Sequence, residues 1–230
     1  MIFYEGEYVD RNIMEAISYL TQAADQNYYD AQYQLGMIYY ENQNLEDSIN
    51  KAIHYLLLSA NQKNERSKIK LKEIFEKVDL SKLNIDLRNH YLKFAADENV
   101  SEAQYQFGLL YLDRDIKISL DYLKKASNQN HVESQYQLGM IHYKGKHITK
   151  DIEKAILYLQ SAAKHKHREA QYRLGTIYQK GKDIERDIDK AIFYLQSATE
   201  QNHSESQYQL GLLYYRNRRI RDIDKSVKYL

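Results

Sequence analysis

Among the side chains able to do chemistry, this sequence offers eight histidines, 23 tyrosines and an arginine-rich run, with no cysteine or tryptophan. His165 and His167 flank a single lysine, a spacing that invites a metal reading because imidazole binds zinc readily. Against it, His131, His167 and His203 recur every 36 residues, so a repeat places them. Repeats stacked about a helix diameter apart, roughly 10 Å, cannot bring such rings to the ~2.1 Å that zinc requires. No metal is expected. Nor is a cofactor or an enzyme: the chain has no phosphate-cradling loop, no Gly-x-Ser-x-Gly elbow and no thiol nucleophile. The run Arg216-Asn-Arg-Arg-Ile-Arg221 reads as a solvated loop. With 33 basic against 32 acidic residues, no long-range field steers the chain to nucleic acid, and no nucleic-acid partner is expected. Asn99-Val-Ser101 and Asn202-His-Ser204 match the glycosylation pattern, but both asparagines fall at expected helix ends.

What places these residues is one recurring phrase. Ala31-Gln-Tyr-Gln-Leu-Gly36 returns as Ala103-Gln-Tyr-Gln-Phe-Gly108, Ser134-Gln-Tyr-Gln-Leu-Gly139, Ala170-Gln-Tyr-Arg-Leu-Gly175 and Ser206-Gln-Tyr-Gln-Leu-Gly211. The gap between the first two glycines is twice the period, and Ser67-Lys-Ile-Lys-Leu-Lys72 fills it without a glycine. A period of this length marks stacked supersecondary units. The copies divide the chain into a partial first repeat at 1–30, then 31–66, a degenerate 67–102, a short 103–133, 134–169, 170–205, and a truncated 206–230.

Each copy reads as two helices. On a wheel at about 100° per residue, Ala170, Leu174, Ile177 and Tyr178 share one face. The first helix should end at Lys180-Gly181, where glycine takes a left-handed conformation. Asp187 is the expected N-cap of the second helix, whose Ala191, Tyr194, Leu195 and Ala198 form an apolar stripe. Asn27, Asn99, Asn130 and Asn202 hold the closing turn, as suits asparagine's tolerance of positive φ. In the short copy all five missing residues are expected to come out of the inter-helix loop at Asp113-Arg-Asp115. The fold class is therefore all-α: a right-handed α-solenoid of helix–loop–helix repeats.

The phrase A-x-x-x-L-G-x-x-Y, a glycine loop, Lys-Ala-x-x-Tyr and Ala-Ala together resemble the Sel-one-like repeat (SLR) of the tetratricopeptide-like superfamily. In one copy the matching residues are Leu138, Gly139, Gly145, Ile148, Lys154, Ala155, Tyr158, Ala162 and Ala163. The resemblance implies a protein–protein interaction scaffold or adaptor, of the kind used in quality control and signalling. Met1 to Gly6 align beyond a Leu-Gly pair, and Tyr229-Leu230 lie inside a second helix. A fragment of a longer protein is expected on that ground. The alternative reading is a structural or regulatory arm serving an unseen catalytic domain such as a kinase.

Opposite the core face, residues two before, two after and five after the repeat leucine fall at roughly 160°, 200° and 140°. They are Tyr33, Met37 and Tyr40; Tyr105, Leu109 and Leu112; Tyr136, Met140 and Tyr143; Tyr172, Thr176 and Gln179; and Tyr208, Leu212 and Tyr215. The resemblance puts this stripe on the concave face, where a peptide or helix would bind. For the tyrosine preceding the leucine a second reading stands, and its place in the repeat formula favours it: packing between successive first helices. The later positions vary more and are assigned to solvent. No apolar run approaches the ~20 residues of a membrane helix. The lack of cysteine suits a reducing compartment, so a cytoplasmic location is the expectation.

Overall fold

With no proline in the chain, helix ends must be set by caps and by left-handed turns. The computed structural model describes residues 12–216, and all regular structure among them is helical. Asn27, Asn99, Asn130 and Asn202 adopt φ of 63°, 66°, 61° and 57°, closing second helices as their sequence register requires. Lys63 and Lys166 take the same turn at φ 68° and 61°, which a non-glycine residue adopts only at some cost. Gly145 and Gly181, at φ 63° and 58°, close first helices.

Contacts divide the chain into two units. The first, residues 1–104, contains α1 (Ile13–Asp25), α2 (Tyr29–Glu41), α3 (Ser48–Asn61), α4 (Glu65–Phe75), a 3-10 turn at Leu80–Lys82, α5 (Ile85–Asp97) and the start of α6 (Ser101–Leu110). The second, residues 105–230, contains the rest of α6, then α7 (Ile116–Asn128), α8 (Val132–Lys144), α9 (Ile152–Lys164), α10 (Arg168–Lys180), α11 (Ile188–Thr199) and α12 (Ser204–Arg216).

In the first unit α2 pairs with α3, and in the second α8 pairs with α9 and α10 with α11. The repeat glycine makes the pairing close. A β-carbon on Gly36 would lie 2.6 Å from Leu56 Cγ, and one on Gly139 or Gly175 would lie 2.7 Å from Leu159 or Leu195 Cγ. Leu35, Leu138, Leu174 and Leu210, each preceding a repeat glycine, are fully buried. Each such leucine contributes about 1.5–3 kcal/mol by leaving water. In the second unit, second helices start on aspartates: Asp151 and Asp187 accept the N–H of Lys154 and Lys190 at 3.0 and 2.9 Å. Asp115 caps α7 in the same way.

A stacked aromatic pair also joins the two helices of a copy. Tyr39 lies on Tyr55, His142 on Tyr158 and Tyr178 on Tyr194, with rings 5.8–6.1 Å apart and within 11° of parallel. In the degenerate copy Phe75 meets Tyr91 edge-on instead, at 5.7 Å and 69°. There Lys72 stands in the glycine slot and turns outward to Glu98 at 2.9 Å.

The short copy corrects the expectation for its deletion. Helix α6 has 10 residues where α8 has 13, so part of the deletion falls in the last turn of the first helix and not only in the loop. Tight turns replace that helical turn: Leu112 N–H donates to Leu109 O at 3.2 Å and Asp115 N–H to Tyr111 O at 2.8 Å.

Candidate functional site

The stripe of first-helix residues divides into two kinds of position. At Tyr105, Tyr136 and Tyr172 the tyrosine two before the leucine belongs to the joint between repeats. Tyr136 on α8 stacks on His167 with ring centroids 4.5 Å apart, and Tyr172 on α10 meets His203 at 4.8 Å. Tyr105 meets His131 at 4.9 Å in the same relation. Tyr136 and Tyr172 are half-buried against the core of the second unit. These rings are occupied by their own chain.

Their histidine partners explain the 36-residue recurrence. His131, His167 and His203 are the N-caps of α8, α10 and α12. Each Nδ1 accepts a backbone N–H three residues on, from Ser134 at 3.2 Å, Ala170 at 3.1 Å and Ser206 at 3.1 Å. An Nδ1 that accepts leaves the proton on Nε2, and in His167 and His203 that nitrogen faces a carboxylate of the preceding repeat. His167 Nε2 lies 3.1 Å from Glu133 Oε1, and His203 Nε2 lies 2.7 Å from Glu169 Oε1. One imidazole thus caps its own helix, bonds the previous first helix and stacks on that helix's tyrosine. The sequence signal was the recurrence of His-x-Glu ahead of the last three phrases, at His131-Val-Glu133, His167-Arg-Glu169 and His203-Ser-Glu205. No group of three histidine, aspartate or glutamate side chains arranged to hold a metal occurs among the described residues.

The first glutamine of the phrase is structural too. Gln32 Nε2 donates to Ala24 O at 3.3 Å, Gln104 to Ala96 O at 3.1 Å and Gln171 to Ala163 O at 3.4 Å. Each adds a side-chain donor to a carbonyl in the last turn of the preceding second helix, which also accepts the backbone N–H three residues on.

The remaining stripe positions vary in exposure. Met140 corrects the solvent-facing expectation: it is 7% exposed and joins the core cluster of Leu159, Ala170 and Leu174. Its flexible thioether chain fills space that a branched residue would leave open. Thr176 is half-buried and bonds back to Arg173 O at 2.8 Å. Leu109 is half-buried, and Leu112 packs against the core of Leu123, Leu138 and Ile141. Tyr143 and Gln179 are half-buried, and Tyr215 is 56% exposed. Lys150 Nζ sits 5.6 Å from the Tyr143 ring centroid. On α12, Tyr208 is 53% exposed and Leu212 half-buried. In the first unit Tyr33, Met37 and Tyr40 are half-buried, with Lys70 Nζ 4.6 Å from the Tyr40 ring centroid.

Ion pairs link the loops behind these residues. Asp113 meets Lys146 at 3.0 Å and His147 at 2.9 Å, and Lys150 meets Asp183 at 2.6 Å. The hydrogen bond from Lys146, then its charge, holds the Asp113 carboxyl below the usual carboxylate range. Exposed pairs of this kind contribute about 0–1 kcal/mol. Among the described residues, no helix is long and apolar enough to cross a membrane.

The family model of the Sel1 repeat matches residues 1–28, 30–64, 101–131, 132–167, 168–203 and 204–230. The stretch between the second and third matches is the degenerate copy. No curated protein matches the chain. Among solved structures, a protective antigen of uropathogenic Escherichia coli displaying an SLR fold is similar over 99% of this chain and 50% of its own, with 20% identity and a TM-score of 0.65. A Sel1 repeat protein from Oxalobacter formigenes is similar over 99% of this chain and 68% of its own, with 23% identity and a TM-score of 0.59. The chain thus spans half the length of the first relative, and at these identities the likeness carries the fold alone.

Proposed function

Since the chain belongs to the Sel1 repeat family, we propose that it is a protein–protein interaction scaffold whose first helices in the second unit present a peptide- or helix-binding face. Sel1 repeat proteins in general act as such scaffolds. The observation that carries the narrower reading is the contrast between two rows of one stripe. The row at Tyr136 and Tyr172 is used up in joints between repeats. The row at Tyr143, Gln179 and Tyr215 retains surface, with glutamine between two tyrosines. Aromatic rings offer contact area at a low cost in side-chain entropy, which suits capture of a peptide. A cytoplasmic setting is proposed with it, because a chain without cysteine needs no oxidising compartment.

The test is a triple variant, Tyr143→Ser with Gln179→Ser and Tyr215→Ser, compared with wild type in partner capture and in a circular dichroism melt. Loss of capture with an unchanged melt is the expected result. A collapsed melt would place these side chains in the core and remove the proposal.

A further inference from the structure

His142 is an imidazole packed between two helices whose ring nitrogens serve in no cap and no hydrogen bond. It stands one turn after Gly139, at the register that Tyr39, Tyr178 and Tyr214 occupy in other copies. The ring lies between α8 and α9, stacked on Tyr158 at 5.8 Å and 8% exposed. Neither ring nitrogen meets a hydrogen-bond partner, and both are closed off from solvent. A neutral imidazole tolerates that setting, but an imidazolium with two N–H donors and a full charge does not.

The groups around it do not rescue the charge. From α9 and its cap come Asp151, Lys154 and Tyr158, and from α7 comes Lys124. The Asp151 carboxylate is already committed, to Lys154 Nζ at 2.7 Å and Lys154 N–H at 3.0 Å. Asp151 favours a charge on the ring and the two lysines oppose one, so burial decides the balance.

We propose that the α8–α9 pair is an acid-operated joint, in which protonation of His142 expels its ring from the stack on Tyr158 and opens this pair ahead of α10–α11. Burial above all holds the imidazole below its ordinary value near 6.5; the Asp151 charge opposes it, and the lysine charges add to it. The sign follows. Above about pH 6.5 both folded and unfolded chains carry a neutral ring, and its contribution to stability is fully present. As the pH falls from there toward the depressed folded value, the unfolded chain binds the proton first and the contribution is lost. The opening equilibrium should therefore rise by at most about tenfold per pH unit in that window.

Hydrogen exchange of the whole chain at pH 7.5 and 5.5, corrected for intrinsic rates, tests this against His142→Tyr, which restores the residue found in other copies. Wild type should lose protection selectively in α8 and α9 at the lower pH, and the variant should keep it. Equal acid loss in both proteins would overturn the proposal. Should the variant fold poorly, imidazole titration of wild type by NMR decides: a folded value at or above 6.5 overturns it, and a depressed value coinciding with the exchange change supports it.

Discussion

A β-carbon placed on Gly175 would stand 2.7 Å from Cγ of Leu195, and the same relation holds between Gly139 and Leu159. This glycine is a distance device, because its own φ is helical and only the missing side chain lets α11 approach α10. Gly175→Ala should cost about 1–3 kcal/mol as overpacking. Leu195→Ala alone should cost about 2–5 kcal/mol as a cavity. The double variant should cost less than the sum, since each change relieves the other. A double-mutant cycle in urea measures that coupling; strict additivity would mean that the two side chains do not compete for one space.

The histidine caps make a graded prediction. His167→Ala removes the acceptor for the Ala170 N–H and the stack on Tyr136, and should cost about 1–2 kcal/mol. His167→Asn keeps a capping oxygen and should recover most of that loss. Thermal unfolding of the two variants separates capping from stacking. If asparagine performs no better than alanine, the Tyr136 contact outweighs the cap.

Tyr91 is fully buried, and its hydroxyl donates to Leu71 O at 2.5 Å. Tyr91→Phe should cost about 1 kcal/mol. Burial pushes the phenol above its ordinary value, so the sign is that of a group kept protonated by folding. Its stabilising contribution is whole below about pH 10 and is lost as the pH rises beyond that. Alkaline melts of wild type should therefore fall more steeply than those of the phenylalanine variant.

At the acid end, Asp151 and Asp187 are held below the ordinary carboxylate value by the hydrogen bonds of Lys154 and Lys190. Depressed carboxyls stabilise above the unfolded value near 4, and that contribution disappears as the pH falls through the folded value. Asn in place of both aspartates keeps an N-cap that does not titrate. Melting temperature followed from pH 5 to pH 2.5 should decline less in that variant.

Much of this protein was legible in its residues because helix signals are local. The left-handed asparagines, the Gly181 terminus and the Asp187 cap depend on backbone geometry within a few residues, and each stands where its type predicted. The core face of the first helix was equally readable, since Ala170, Leu174, Ile177 and Tyr178 share one side of a wheel and all are buried.

The opposite face was not readable in the same way. A wheel assigns an angle to a side chain, but only the tilt and spacing of the next helix decide whether that angle meets water or protein. Met140 and Tyr143 lie on the same stripe of α8, yet one is in the core and the other keeps surface. The phrase itself determined the period, the helix pairs and their caps. Tertiary contact alone decided that Tyr136 would be spent on His167, that the short copy would lose a helical turn, and that His142 would be sealed without a partner, because each depends on what a neighbouring helix brings within reach.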